Sequence, residues 1–244
     1  VKWPDLNKLV SDELGAIHFL SFSTLAEEPL LVVTELAPPN QVLIDGEVQG
    51  KGTQYIRDIF KQAGLTPDIQ MYPWARAYKM ASEEKNTFIY SIARTPEREN
   101  QFQWVGEIGR FEMGFVGLSD RTDIVINNIN QAKNYKIAMQ HNDFSTQTLT
   151  KMGFEGVITS DIQHSYKLLL AKKVDLILDD PLYMLQYSDY FKLKPGHLKF
   201  IFKIDALTTV AYLAANKDTD KVLIEKMEEA HKQVSKTQIS PYGK

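Results

Sequence analysis

Short apolar segments alternate with amphipathic segments along the chain from residue 30 onwards. Apolar runs of four or five residues predict strands at 30–34, 69–72 and 87–91. Between them, apolar positions three and four residues apart predict helices at 50–63 and 74–82. Strands that alternate with helices of about ten residues are typical of an α/β fold with mainly parallel sheets.

The second half of the chain repeats this alternation. It contains further predicted strands at 136–139, 157–159, 174–178 and 200–202. Further helices are predicted at 124–132, 143–152, 162–170 and 181–187. Two longer β-like stretches, 111–118 and 208–215, lie where the two sets meet, and we interpret them as paired crossovers that form a hinge. The pattern thus predicts two doubly wound α/β lobes joined by two β crossovers. We expect one lobe to comprise residues 29–113 with 211–244, and the other residues 114–210.

The N-terminal segment, residues 1–28, has two interpretations. The apolar stretch 14–26 is typical of the core of a secretory signal and ends in a small residue before Glu27. Acidic residues precede that stretch, however, and the apolar positions between 6 and 17 have helical spacing, which favours an amphipathic helix instead. The sequence leaves both interpretations open.

Composition narrows the function classes. The 244 residues carry a net charge of −3, which argues against a nucleic-acid binder because such proteins present a basic surface. No apolar run approaches the ~20 residues of a membrane span. The chain has no cysteine, and this excludes disulfides, thiolate metal sites and a cysteine nucleophile.

Catalytic and cofactor motifs are missing from the sequence. It contains no G-x-S-x-G elbow, no phosphate-binding Walker loop and no H-E-x-x-H zinc motif. The five histidines are scattered singly, without a partner at helical spacing. We therefore expect no catalytic residue, no cofactor and no metal.

The ends of the predicted strands carry the candidate binding residues. Ligands of doubly wound sheets bind beyond the carboxyl ends of the strands. The first lobe places cations and aromatic rings there, and the second lobe places carboxylates and amides; these candidates are Glu35, Tyr72, Trp74, Ser91, Arg94 and Arg98, followed by Asn142, Asp143 and Asp180, with Asp179 if the register slips by one. A zwitterion held between the lobes would be matched at both ends.

Arginine usage points to the same region. Four of the six arginines lie between residues 76 and 110, whereas the chain has 22 lysines. The planar guanidinium binds a carboxylate through two parallel hydrogen bonds, which lysine cannot do. The alternative is a solvated loop in which Arg94 pairs with Glu97.

Several short motifs resemble the bacterial extracellular solute-binding proteins of family 3. The segment Thr95-Pro96-Glu97-Arg98 is similar to the T-x-E-R motif of that family, and Val33-Thr34 followed by Pro38-Pro39 is similar to its first strand and loop. Residues 173–180, with the sequence KVDLILDD, resemble its second-lobe motif. The resemblance covers about residues 30–237 and implies the type II periplasmic binding fold, which serves polar amino-acid ABC transporters.

The resemblance also implies roles for individual residues. Arg98 would bind the carboxylate of the ligand, Asp180 its amine, and Ser91 would contribute at a strand end. No aromatic ring stands near Ala37, where the family has one, so Trp74 or Tyr72 would replace it. The helix start of the second lobe carries Asp143 where the family offers neutral donors, so we expect a ligand with more polar or charged groups than a neutral amino acid.

Together these observations predict an exported, periplasmic and monomeric solute-binding protein without enzymatic activity. It would capture a small polar, amino acid-like ligand that bears a carboxylate, and deliver it to an ABC transporter. Two alternatives stay open. One is a lyase similar to cyclohexadienyl dehydratase on the same scaffold, with Glu35, Glu107 or Asp143 as general acid. The other is a sensory or orphan ligand-binding domain without a permease.

Overall fold

The computed structural model describes residues 30–242, so the two interpretations of residues 1–28 lie outside it. Its strands are β1 (Leu31–Thr34), β2 (Val42–Ile44), β3 (Glu47–Gln49), β4 (Asp68–Met71), β5 (Thr87–Ala93), β6 (Phe102–Leu118), β7 (Ile137–Gln140), β8 (Val157–Thr159), β9 (Leu176–Asp179) and β10 (Leu198–Asn216). Its helices are α1 (Lys51–Gln62), α2 (Trp74–Glu83), α3 (Phe144–Lys151), α4 (Ile162–Leu170), α5 (Pro181–Tyr190) and α6 (Lys221–Thr237). None of these helices combines the length and the apolar character that a membrane span requires.

One eight-stranded sheet, ordered β4-β1-β5-β10-β6-β9-β7-β8, organises the described residues. Strands β4, β1 and β5 pair in parallel at one end, and β9, β7 and β8 pair in parallel at the other. Strands β6 and β10 are antiparallel to each other and run through both halves. The predicted α/β lobes and their two β crossovers are therefore confirmed.

The crossover strands are longer than predicted. The segments predicted separately at 200–202 and 208–215 belong to one strand, β10, because residues 204–207 bulge out of the ladder and the pairing resumes after them. Ile204 and Leu207 in this bulge are buried in the core of the second half, which hides the alternation expected of a strand. A Cβ at Gly114 of β6 would overlap the carbonyl oxygen of Phe202, so glycine permits the close approach of the two strands.

Separate cores lie on the two halves. In the first half, α1 buries Ile56, Ile59 and Phe60 against the sheet, and α6 buries Met227 and other apolar residues in the same core. Two further clusters, formed by residues between 113 and 207 with Leu36 at their margin, fill the second half. This division supports the lobe boundaries given above, which we keep as a proposal.

One element was not predicted, and one local prediction differs from the structure. The hairpin β2–β3 has an Asp45-Gly46 turn with both residues at positive φ, a standard hairpin signal that the apolar pattern alone does not reveal. The helix predicted at 124–132 is wrong. Ile124 and Ile126 are buried with an exposed residue between them, which is an extended alternation, and only a 3-10 helix, Ile129–Asn134, follows.

We expect Met227→Ala to lower the free energy of unfolding by about 2–4 kcal/mol, because Met227 is fully buried in the core beneath α6. Val222→Ala on the same helix is the control, since Val222 is exposed and should change stability by less than about 0.5 kcal/mol. Urea denaturation of both variants measures the difference. Equal stabilities would contradict the packing of α6 against the first half.

Candidate functional site

A cavity lies between the two halves, at the carboxyl ends of β1, β5, β7 and β9. Its polar lining consists of Glu35, Ser91, Arg98, Gln140, Asp143, Ser145, Ser165, Asp179 and Asp180. Its apolar and aromatic lining consists of Leu36, Ala37, Trp74, Ala93, Phe111, Met113, Ala138, Phe144, Ile162, Leu178, Tyr183 and Tyr187. The cavity thus occupies the position where doubly wound sheets bind ligands.

Arg98 is the cation of this cavity, and it is only 2% exposed. A turn closed by the hydrogen bond from the Arg98 amide to the Thr95 carbonyl (3.0 Å) places it after β5. Its guanidinium lies 5.3 Å from the Trp74 ring and 5.0 Å from the Tyr78 ring, and Nη1 donates to the Ala93 carbonyl at 3.2 Å. The Nη2 atom is buried without a hydrogen-bond partner among the described residues. Arg98 therefore retains donors for an acidic group.

Two aspartates lie at the carboxyl end of β9 on the opposite wall, Asp179 as its last residue and Asp180 directly after it, and each is 4% exposed. Asp179 accepts hydrogen bonds from the Tyr166 hydroxyl (2.6 Å) and from the Asp180 amide (2.8 Å). Asp180 caps α5 by accepting from the Leu182 amide and also accepts from the Glu112 amide of β6, both at 2.8 Å. Burial raises the pKa of Asp179 to about 7, and it also raises the pKa of Asp180.

Two further carboxyl groups face the cavity from different elements. Glu35, directly after β1, accepts a hydrogen bond from Gln140 Nε2 at 2.6 Å. Burial, and then the nearby charge of Asp143, raise the pKa of Glu35 to about 8. Asp143 caps α3 by accepting from the amides of Phe144 (2.7 Å) and Ser145 (3.2 Å). At neutral pH Glu35 is therefore mostly protonated.

Direct contacts close the two halves over the cavity. Trp74 Nε1 donates to the Asn142 carbonyl at 3.0 Å, and the Tyr187 hydroxyl donates to the Leu36 carbonyl at 2.8 Å. The Glu35–Gln140 hydrogen bond also crosses the cavity. Outside the cavity lining, an exposed ion pair joins Lys151 of α3 to Glu97, a residue of the turn that carries Arg98.

The predicted site residues fall into two groups. Glu35, Trp74, Ser91, Arg98, Asp143, Asp179 and Asp180 line the cavity together. Arg94, Tyr72 and Asn142 lie outside its lining, which corrects their predicted placement. Arg94 forms an exposed ion pair with Glu99, because the turn after β5 directs its side chain outwards. The Tyr72 ring lies under the Arg76 guanidinium, 4.2 Å away, and the side chain of Asn142 is exposed.

The aromatic wall was not predicted as part of the site. Tyr183 and Phe111 lie edge to face with their ring centroids 6.2 Å apart, and both line the cavity beside Tyr187. Tyr183 and Tyr187, one helical turn apart on α5, also pack against the core of the second half, where Tyr187 is fully buried. The proline start of α5 directly after Asp180 was the available signal that this face begins at the cavity.

Comparison with known proteins identifies the fold. No family model and no curated relative matches the chain. A histidine kinase sensor domain with similarity to periplasmic binding proteins matches with a TM-score of 0.77, at 15% identity over 86% of this chain and 91% of that one. An ABC uptake transporter substrate-binding protein from Streptococcus pneumoniae with bound histidine matches with a TM-score of 0.75, at 15% identity over 86% of this chain and 87% of that one. The GluR0 ligand-binding core from Nostoc punctiforme, in complex with L-glutamate, matches with a TM-score of 0.71, at 18% identity over 86% of this chain and 94% of that one.

These structures confirm the type II periplasmic binding fold that the sequence motifs implied. The neighbours include amino-acid-binding proteins, as the resemblance to family 3 led us to expect. At 15–18% identity the likeness establishes the fold alone, so the ligand and the output of this chain have to be argued from its own residues.

We expect the free energy of unfolding to fall as the pH rises from 5 to 8. Glu35 and Asp179 have pKa values of about 8 and 7 in the folded protein, against ordinary values of 4.5 and 3.8. The folded state therefore binds more protons than the unfolded state across this window, and ionisation of the two groups lowers stability by ~2 kcal/mol or more.

Chemical denaturation at several pH values, in the absence of added ligand, measures this dependence. Glu35→Gln and Asp179→Asn should each flatten the profile. The control is Glu47→Gln, which removes an exposed carboxyl group of the hairpin and should leave the slope unchanged. A wild-type stability that rises between pH 5 and 8 would contradict the burial of these acids.

Proposed function

We propose that this chain is an extracytoplasmic solute-binding protein that captures a small polar, carboxylate-bearing and amino acid-like ligand between two closing lobes. The observation that carries the proposal is the buried Arg98, whose Nη2 has no hydrogen-bond partner within residues 30–242, at the wall of a cavity between the halves. A buried guanidinium with unused donors is costly unless an acceptor pairs with it. A ligand carboxylate supplies that acceptor.

Binding would begin on the first lobe. The rings of Trp74 and Tyr78 hold the Arg98 guanidinium in place, so little side-chain entropy is lost when a carboxylate pairs with it. Asp180 on the second lobe would bind the amine of the ligand, because its buried carboxylate can accept further hydrogen bonds beside the two it receives from backbone amides. The two ends of a zwitterion would thus be matched by opposite lobes.

Closure would follow by bending of β6 and β10. Hinge closure around a ligand is a population shift, and its size equals the difference in the affinity of the ligand for the open and closed states. The cross-cavity bonds of Trp74 and Tyr187 form only when the halves meet. They therefore stabilise the closed state once the ligand has joined the two walls.

We propose further that the protein acts as an exported, periplasmic monomer that delivers its ligand to an ABC transporter. The match to a transporter substrate-binding protein supports this output. The match to a histidine kinase sensor domain favours a second candidate, in which the same ligand capture serves signalling. Growth on the bound solute after deletion of the gene for this chain separates uptake from sensing.

An enzymatic function is the less favoured alternative. Among the three acids considered for a lyase, Glu35 and Asp143 line the cavity, whereas Glu107 is exposed outside it. A mostly protonated Glu35 has the protonation state that a general acid needs. Incubation of the protein with prephenate or arogenate tests this alternative, because formation of the aromatic product would replace binding by catalysis.

We expect Arg98→Lys to weaken binding of the tightest amino acid from a thermal-shift panel by at least tenfold, since lysine cannot form two parallel hydrogen bonds to a carboxylate. Isothermal titration calorimetry measures the affinities. The matched control is Arg94→Lys outside the cavity lining, which should change the affinity less than about twofold. Equal losses in the two variants would contradict the role of Arg98. Lysine is preferable to alanine here because Arg98 also packs between two rings.

We expect solution scattering to give a smaller radius of gyration with saturating ligand than without it. The physical reason is that, in the part of the chain that the structure describes, two continuous strands and a few polar contacts connect the lobes, so the ligand-free protein populates an open form. An unchanged radius at saturation would contradict closure.

A further inference from the structure

The acidic side chains of the cavity outnumber its cations. Among the described residues that line it, Arg98 is the cation, and Glu35, Asp143, Asp179 and Asp180 are acids. A ligand with one carboxylate and one amine adds no net charge, so it leaves this imbalance as it was. The imbalance therefore bears on the identity of the ligand.

The four acids differ in how the protein compensates their charge. Asp143 and Asp180 cap α3 and α5, where backbone amides and the positive end of the helix stabilise a carboxylate. Glu35 and Asp179 are not helix caps. Glu35 accepts from the neutral amide of Gln140, and Asp179 from the Tyr166 hydroxyl and the amide that follows it. These two groups are the ones that lack a positive partner among the contacts described.

Acidic and neutral groups from several neighbouring elements act on Glu35. Asp143 of the α3 cap, Asp161 of the α4 cap and Asp179 of β9 all raise its pKa, while Tyr183 and Tyr187 of α5 are neutral. Taking Glu35 out of water without a cation is costly, and the group keeps its proton instead. A cation that enters this part of the cavity would stabilise the Glu35 carboxylate, so that Glu35 loses its proton.

We infer that Glu35 and Asp179 form an acidic subsite for a second cationic group of the ligand, so that the ligand is an amino acid with a basic side chain. The inference rests on the proposed function, in which Arg98 and Asp180 hold the α-carboxylate and the α-amine. The aromatic wall of Phe111 and Tyr183 provides apolar surface for the alkyl chain between the two ends.

Binding at this subsite replaces the proton on Glu35 by the cationic group of the ligand. The ligand ammonium or guanidinium group pairs with the Glu35 carboxylate, and the proton that Glu35 carried is released to the buffer. A neutral or acidic side chain would bind without this release. Proton release therefore distinguishes a basic ligand at this subsite from an amino acid held by Arg98 and Asp180 alone.

The test is calorimetry on the full chain at pH 7 with L-lysine, L-ornithine and L-arginine, against L-norleucine, L-glutamine, L-glutamate and cadaverine. At least one basic amino acid should bind tenfold or more tightly than norleucine, which has no side-chain amine. Titration in phosphate and in Tris, whose ionisation enthalpies differ, should show release of about one proton for that ligand. Glu35→Gln should abolish the release and the preference over norleucine.

Control variants keep the result interpretable. Glu47→Gln makes the same substitution in the exposed hairpin and should leave binding unchanged. Asp179→Asn should weaken the binding of the basic ligand more than the binding of norleucine. The melting temperature of this variant shows whether it folds. Tighter binding of norleucine, glutamine or glutamate than of every basic amino acid would overturn the acidic subsite while the proposed function stands. Binding of cadaverine alone would overturn carboxylate recognition by Arg98, and with it the ligand class.

Discussion

The antiparallel pair of β6 and β10 is the constraint on which the rest of the structure depends. Each half of the sheet has a parallel set of three strands, and each set is completed by this one shared pair. Because the pair continues through both halves, the carboxyl ends of the two parallel sets face each other across the cavity. Glu35 and Ala93 of the first half therefore line the same cavity as Gln140 and Asp179 of the second half.

The same pair has to bend without breaking. Its ladder shifts register at several points, and the bulge at 204–207 buries two side chains in the second core instead of continuing the strand alternation. Bulges of this kind increase local twist and interrupt pairing. The backbone amide of Glu112 in β6 donates to Asp180, so the hinge region and the cavity wall are joined by a direct hydrogen bond.

Contacts across the cavity are few and mostly polar. A hydrogen bond contributes about 0.5–1.5 kcal/mol net, and an exposed ion pair such as Lys151–Glu97 contributes about 0–1 kcal/mol. Such contacts can be made and broken at small cost, unlike the apolar cores within each half. Rigid halves and a weakly held interface between them are what a ligand-driven closure requires. In the proposed function, the ionisable groups of the cavity then decide which ligand closes it.

Local pattern was enough to determine the alternating elements, the two crossovers and the turn that presents Arg98, because these depend on periodicity and short-range spacing. The strand-end rule also identified Glu35, Asp143 and Asp180, with Asp179 as the alternative, and the resemblance to the T-x-E-R motif implied Arg98; all five line the cavity. The pattern did not reveal that Arg94 faces outwards while Arg98 faces inwards, since the two residues share one short loop. Their tertiary partners separate them: Arg94 pairs with Glu99, whereas Arg98 packs against Trp74 and Tyr78. Likewise, the local sequence around Ile124 and Ile126 predicted a helix, whereas the two residues are buried in an extended segment. The protonation of Glu35 was decided by tertiary structure alone, because it arises from burial and from aspartates that lie more than a hundred residues away in sequence and converge on it only in the folded chain.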